Sequence, residues 1–553
     1  MTSDKSEEAR KAQGKISRAA FSPEDEKKKI MNEWNNTEVN YDYSMGISQL
    51  FELQAEQNPE ATAVIFEEEH WTYSVLEEKS GKIARYLKTL GVDRQSLVGI
   101  SMARSALTIA GILGILRAGG VYVPLDPKYP KERTEFILRD AELKLVLVDE
   151  MVKNKPEFSG IKTVCLSEDY IYRESGEGKP VVYKYSGEEA AYVLYTSGST
   201  GQPKGVLGLQ KGIINRCRWM WRKYPFTAGE VCCQKTSLNF VDSVSEIFVP
   251  LLNGIPLVVL PEEKVLDVDE FINTIAKEKI SRIVFVPSFL RMLLEIYPDI
   301  GSTLPHLKLC VTSGEALDIN LAGRFLILVR GCRLLNLYGS TEVAGDATCF
   351  DVGDLGPSQS LVPIGRPIDN TKIYILDKDL NIVPIGATGE IYVSGHGVAG
   401  GYLNRPELTR KKFVPNPFSP GNKDILFRSG DLGRYLTDGT IEYLGREDQQ
   451  VKIRGIRVEL GEVEQALKCN PGVKEASVNA CRDNLGYTSL VAYVTFYSND
   501  VTTDEVKDTL RKSLPDYAVP SVFIKLDSMP LLPNGKVDRQ LLMKLNNKTD
   551  SAN

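Results

Sequence analysis

Residues 195–206 read YTSGSTGQPKGV, a run of small hydroxyl residues and glycines that closes on a lysine. Gly198 and Gly201 permit positive φ, Thr196, Ser197, Ser199 and Thr200 supply donors, and Lys204 supplies charge, which together suit a polyphosphate guest. The pattern is not the P-loop G-x-x-x-x-G-K-[ST]. Lys204 follows Pro203 rather than glycine, and Gly205 stands where a magnesium-binding hydroxyl is required. Taken alone, the stretch reads more readily as a flexible surface turn than as a phosphate site.

The rest of the chain narrows the choice. With 553 residues it exceeds what one core fills, so two or more domains are expected. Hydrophobic residues make 42% and charged ones 25%, and the net charge of −6 argues against a general nucleic-acid or membrane-surface role. The charged start MTSDKSEEARKAQGK is no signal peptide, and no apolar run approaches the ~18 residues of a membrane span. A cytoplasmic monomer is expected. The nine cysteines contain no C-x-x-C pair and read as buried reduced thiols. His70, His306 and His396 have no zinc-site spacing, and no G-x-S-x-G elbow occurs. Nucleophilic catalysis by a side chain therefore has little support.

Residues 1–21 read as a disordered tail and 22–44 as a linker helix, its signals beginning at Ser22 with Pro23 in the first turn and running to about Trp34. From 45 to 447, β-branched runs such as TAVIF, LVGIS, VYVPL and RIVFV alternate with amphipathic stretches, the rhythm of layered α/β structure. TKIYIL, GEIYVSG and GTIEYLG suggest a β-rich subdomain at about 350–445. Residues 448–545 read as a compact α+β unit, followed by a tail at 546–553. A literal G-x-G-x-x-G runs from Gly395 to Gly400, but Pro406 breaks the helix that should follow, so a dinucleotide site is not expected.

YTSGSTGQPKG is joined, in order, by RAGGVYVPLDP at 117–127, NLYGSTE at 336–342, FRSGD at 427–431, GREDQQVKIRGIRVELGEVE at 445–464 and LPNGKVDR at 532–539. The upstream RAGGVYVPLDP precedes the loop, and the ordered set resembles, over about 45–540, the adenylation domains of nonribosomal peptide synthetases. Acyl-CoA synthetases and firefly luciferase share that superfamily. The resemblance implies a large N-terminal domain, a small C-terminal lid and ATP between them. It implies that a carboxylate and MgATP give an acyl-adenylate and pyrophosphate, after which a phosphopantetheine thiol on a carrier protein takes the acyl group. The carrier would come in trans or from the same synthetase. The PEDEKKKIMNEWNNTEVNY segment resembles the linker after a condensation domain, and no carrier serine motif follows Arg539.

On this resemblance the 196–204 loop holds the departing β- and γ-phosphates, and Glu342 is the magnesium ligand, a hard oxygen donor that suits Mg2+. Tyr338 stacks on adenine, Asp431 accepts the ribose hydroxyls, and Arg446 supports ribose and phosphate. Gly314, Asn336, Gly339, Ser340 and Thr341 complete the nucleotide site, with Ser340 in place of the usual proline. Lys536 reaches the carboxylate and α-phosphate, and Asp448 is the hinge whose rotation withdraws Lys536 and brings KIRGIRVE to the site. Catalytic roles thus fall on Thr196, Lys204, Glu342 and Lys536. The chemistry needs charge neutralisation and alignment rather than an activated nucleophile, so scarce histidine does no harm.

Motif anchors also place the acid pocket. α-Amino-acid-activating relatives carry F-D-x-S-V-x-E, whose aspartate binds the α-amine; here the segment is Phe240-Val241-Asp242-Ser243-Val244-Ser245-Glu246, with the aspartate one place late. The expected lining is Val241, Asp242, Ser245, Val284, Val311, Ser313, Leu337, Gly345, Asp346 and Lys536, which resembles β-alanine-activating domains. On a helix the shift moves the carboxylate about 1.5 Å along and about 100° around the axis, comparable to one extra carbon in the substrate. Asp242, with Asp346, is expected to meet the amine. Two aspartates acting merely as caps are the bland reading. Another β-amino acid (β-aspartate or 3-aminobutanoate), a small α-amino acid, and an acyl-CoA synthetase remain alternatives. An inactive scaffold predicts loss of Lys204, Glu342, Asp431 or Lys536, all of which are present.

Overall fold

The computed structural model describes residues 23–168, 185, 187–198, 202–356, 359, 361–419, 424–448, 450–483, 487–498, 501–532 and 537–549. Ser199, Thr200, Gly201 and Lys536 lie outside the described residues.

The apolar runs form two large sheets. One orders Lys162–Cys165, Leu145–Val148, Leu97–Ser101, Val121–Pro124, Ala190–Thr196 and Lys204–Leu209, parallel throughout except for the final antiparallel pair. LVLV and VYVP are buried at every position, as strands covered on both faces must be. The second sheet has nine strands and a parallel centre that includes Cys232–Gln234, Arg282–Phe285, Leu309–Thr312 and Arg333–Tyr338. Helix Ala106–Arg117, ALTIAGILGILR, is mostly apolar and buried at every position except the partly buried Leu107, and it packs with Tyr73–Thr89 in one shared core.

Thr371–Leu376, Gly389–Gly395, Phe413–Pro415, Ile425–Tyr435 and Ile441–Arg446 form a five-stranded antiparallel subdomain with its own core. The amino-terminal segment belongs to it. Ile30 is fully buried in that core, and Trp34 packs on Tyr435 with ring centroids 5.0 Å apart. The helix ends where its signals place the end, at Trp34: Pro23–Lys29 is α-helical, Ile30–Trp34 continues as a π-turn, and the rest of the 22–44 linker runs without helix along the subdomain edge. Asn35 fixes the stop. Its side chain donates to the Ile373 carbonyl (2.7 Å) and accepts from the Ile373 N–H (2.8 Å), pairing the arm to an edge strand.

The lid carries a separate core that includes Val463, Leu467, Val478, Val494 and Val506. It is built on helix Leu460–Lys468 and strands Val473–Arg482, Thr488–Phe496 and Val522–Lys525. Ahead of it stands a hairpin, Gln450–Ile453 with Ile456–Glu459. Its two turn residues, Arg454 and Gly455, have φ of 50° and 77°, the twist a two-residue hairpin turn needs. All nine cysteines are free thiols, six of them buried. Among the described residues no helix is long and apolar enough to cross a membrane.

Asn35→Ala leaves the Ile373 N–H unpaired, while the Ile373 carbonyl keeps the Tyr435 hydroxyl at 2.6 Å, and is expected to destabilise the N-terminal domain by about 1–3 kcal/mol. Thermal denaturation should show a lowered Tm, whereas the exposed neighbour Asn36→Ala should leave it unchanged.

Candidate active site

Strand Ala190–Thr196 delivers Thr196 and Ser197 to the edge of a cleft, and the paired strand returns with Lys204 opposite Thr196. Three more segments reach the same cleft: Ser313-Gly314 after Leu309–Thr312, Gly339 to Thr341 after Arg333–Tyr338, and Asp431 within Ile425–Tyr435. The ends of sheet strands thus converge, as open α/β sheets place their ligand crevices. The lid closes the far side with Lys452, Gly455, Ile456, Arg457 and Tyr517.

Glu342 is completely buried. Its Oε1 lies 3.3 Å from Lys204 Nζ and accepts from Tyr402 OH at 2.9 Å, while Arg457 Nη1 reaches Oε1 at 3.1 Å and Oε2 at 3.0 Å. Burial alone would push this carboxyl up, but Arg457 and Lys204 beside it hold it well below the usual carboxylate range. Burial lowers the Lys204 ammonium to about 8 despite Glu342. The glycine-rich Gly395–Gly400 stretch serves this cluster: Ala399 N–H donates to the Glu342 carbonyl at 2.9 Å, and no helix follows the loop directly.

Across the cleft, Tyr338 OH donates to Asp431 Oδ2 at 2.6 Å, and Arg446 Nη1 donates to Asp431 Oδ1 at 2.5 Å. Arg446 also grips Asp448 through Nε (2.6 Å) and Nη2 (2.9 Å), so the expected hinge residue is held by the expected ribose arginine. Gly314, Asn336, Leu337, Tyr338, Arg446 and Asp448 line an adjoining cleft of about 420 Å³. Both clefts meet at Gly314, Arg446, Gln450 and Lys452.

The acid-pocket residues do not all come together. Val241, Asp242, Ser313 and Gly345 line the first cleft, whereas Ser245, Val284 and Val311 line a separate cavity of about 50 Å³ and Leu337 lines the adjoining cleft of about 420 Å³. Asp242 opens helix Asp242–Leu251 without capping it. Its carboxylate has no hydrogen bond or ion pair among the described residues. Burial, reinforced by Asp346 and Glu246, pushes it up to about 7. Glu246 fixes the approach to this helix by accepting from the N–H groups of Lys235 (3.1 Å) and Thr236 (2.9 Å).

Asp346 departs from expectation. Its Oδ2 accepts from Arg216 Nε, and both side chains are buried, so its charge is already matched. Arg216 is the residue the sequence reading missed. It lies three residues from Ile213 and four from Met220 on helix Gln210–Lys223, a charge on an apolar face, and that misplacement was its one legible signal. Arg457, Tyr402 and Lys452 were also not singled out.

The residues fit a nucleotide and a divalent cation. Thr196 Oγ1 and Ser340 Oγ are buried without a hydrogen-bond partner, and both residues line the cleft. A Cβ on Gly339 would collide with the Gly345 carbonyl, so the backbone there takes no side chain. Glu342 and Thr196 are the hard oxygen donors Mg2+ prefers.

The AMP-binding enzyme family model matches residues 51–403, and the AMP-binding enzyme C-terminal domain matches 462–536. The chain is 41% identical over 500 residues to gramicidin S synthase 2 of Brevibacillus brevis, covering 90% of this chain and 11% of that protein. It is 39% identical over 533 residues to bacitracin synthase 3 of Bacillus licheniformis, covering 96% and 8%. The chain therefore spans only 11% and 8% of these relatives' lengths. Among solved structures it is similar to holo-PA1221, an NRPS protein containing adenylation and PCP domains bound to a vinylsulfonamide inhibitor (TM-score 0.80, 25% identity, 90% and 84% covered). It is also similar to holo-AB3403, a four-domain nonribosomal peptide synthetase bound to AMP and glycine (TM-score 0.67, 32% identity, 94% and 38% covered). The chain belongs to the AMP-binding enzyme family and is an adenylation domain of the nonribosomal peptide synthetase type, an adenylating ligase that uses ATP and Mg2+.

Proposed function

We propose that this domain activates an amino acid, β-alanine fitting best, as its aminoacyl-adenylate and then loads it onto the phosphopantetheine thiol of a carrier protein. In the first step a carboxylate oxygen attacks the α-phosphorus of ATP, and the bond to the β-phosphate breaks to release pyrophosphate. In the second, the thiol sulfur attacks the acyl carbon, its proton is lost, and AMP leaves. Mg2+ supplies charge neutralisation on the phosphates. Lys204 and the 196–201 loop hold the leaving pyrophosphate, Tyr338, Asp431 and Arg446 orient the nucleoside, and Lys536 bridges carboxylate and α-phosphate.

The observation that carries the choice of acid is Asp242. It is the carboxylate in the acid pocket left without a hydrogen bond or ion pair among the described residues, while Asp346 is matched by Arg216. A substrate ammonium supplies the missing partner, and Val241 occupies the seat of the aspartate that an α-amine would pair with. The cavity holding Ser245, Val284 and Val311 lies apart, which favours a short substrate in the first cleft. Two acidic side chains near that pocket speak against the apolar acid of an acyl-CoA synthetase. One observation favours a second reading, a β-amino acid with a further carboxylate such as β-aspartate: Arg216 lines the separate cavity, and its Nη1 is buried without a partner.

Amino-acid-dependent ATP–pyrophosphate exchange across β-alanine, 3-aminobutanoate, β-aspartate, α-alanine and a short fatty acid tests the reading. Exchange should be strongest with β-alanine; dominance of α-alanine would mean that Val241 and Asp242 are misassigned. Arg216→Met paired with Asp346→Asn, which avoids stranding a buried charge, should abolish any β-aspartate exchange and spare that of β-alanine.

Protonated Asp242 cannot pair with an ammonium, so the free enzyme should gain affinity as pH rises. The value of kcat/KM for the amino acid is expected to climb about tenfold per pH unit below about 7 and level off above it. Asp242→Asn should lower exchange on the order of 100- to 1,000-fold and erase that limb of the profile.

A further inference from the structure

Two domains share the charge of Glu342. Lys204 comes from the N-terminal sheet, while Arg457 comes from the Gln450–Glu459 hairpin that precedes the lid core and covers both carboxylate oxygens at 3.1 and 3.0 Å. The hairpin is also latched by its backbone. Ser197 Oγ of the phosphate loop donates to the Arg457 carbonyl at 2.8 Å, and Gly455 N–H donates to Glu315 Oε1 at 2.7 Å. With Glu342 wholly buried and two cationic groups already upon it, a divalent ion cannot take the same oxygens while Arg457 stays. Conversely, withdrawing Arg457 leaves a buried carboxylate undercompensated unless another cation arrives.

We propose that Arg457 and the divalent cation compete for Glu342. Arg457 is then a positioning residue: once metal and pyrophosphate have left, it takes the metal's place as counter-ion and pins the hairpin in the cleft. The return of metal with pyrophosphate expels it. Ser197 reinforces the exclusion, because a hydroxyl donating to the lid backbone is not donating to a phosphate. Coupling of this kind is reciprocal, so whatever weakens Arg457 on Glu342 must strengthen metal–pyrophosphate binding by the same factor. The inference rests on the adenylation reading for the role of Glu342 as metal ligand, and it adds the group that displaces the metal.

The test reads lid position rather than turnover. A donor–acceptor dye pair is placed on the exposed Cys469 of the lid and on a cysteine introduced at exposed Ile327 of the N-terminal domain. Mg2+ with inorganic pyrophosphate is then titrated without ATP or amino acid. The wild-type chain should change transfer efficiency as Mg2+ and pyrophosphate rise. Arg457→Met should reach the same end state at a concentration at least about tenfold lower, and Arg457→Lys should fall between. An unchanged midpoint in Arg457→Met, or a wild-type lid that does not move, overturns the proposal. ATP–pyrophosphate exchange on the same preparation separates the two ideas: exchange with an unmoved lid sinks the competition alone, whereas no exchange with any amino acid sinks it together with the adenylation reading.

Discussion

A carboxylate sealed from water must keep its counter-charges close, and Glu342 draws them from both halves of the molecule. Lys204 must therefore stand at the start of its strand, Tyr402 must turn its hydroxyl inward, and the lid hairpin must reach across the cleft. Lys204 shows the strain of the arrangement most clearly. Its ammonium is pushed down to about 8, by burial first and by the neighbouring Arg457 cation to a lesser degree, even with Glu342 beside it. The orphaned hydroxyls of Thr196 and Ser340 face the cleft that Arg457 also lines, a setting suited to an anionic guest.

The division into cores lets such a contact be temporary. The lid has its own apolar cluster and touches the N-terminal domain mainly through polar groups: Arg457 on Glu342, Arg133 on Glu462 at 3.0 Å, and the Gly455 N–H on Glu315. An aromatic contact, Phe240 against Tyr517 at 6.2 Å between centroids, lies next to Val241 and Asp242. Interfaces built from exchangeable polar pairs can be remade in another orientation, whereas a shared apolar core cannot. Arg446, clamped between Asp431 and Asp448, sits where the two units join.

Much of this was legible in the chain. Buried parallel strands announce themselves as unbroken β-branched runs, so the layered α/β core and the later β-rich unit could be read from VYVPL, RIVFV and TKIYIL. NLYGSTE, FRSGD and GREDQQ marked segments that meet Thr196 and Ser197 in one cleft. The end of the amino-terminal helix near Trp34 was legible, but not the contact that fixes it: Asn35 pairs with Ile373, more than three hundred residues away.

The sequence by itself determined which residue types are available to the site: a lysine, a glutamate and hydroxyls around a glycine-rich loop, and an aspartate displaced by one place at the head of a helix. Tertiary structure alone decided how their charges pair. Asp242 and Asp346 look alike in a list of pocket positions, yet one is left without a partner and the other is matched by Arg216 from a distant helix. Glu342 reads as a metal ligand, yet in this arrangement its oxygens belong to Arg457. The reason is that an ion pair depends on distance in space and on exclusion of water, and neither is encoded in the spacing of residues along the chain.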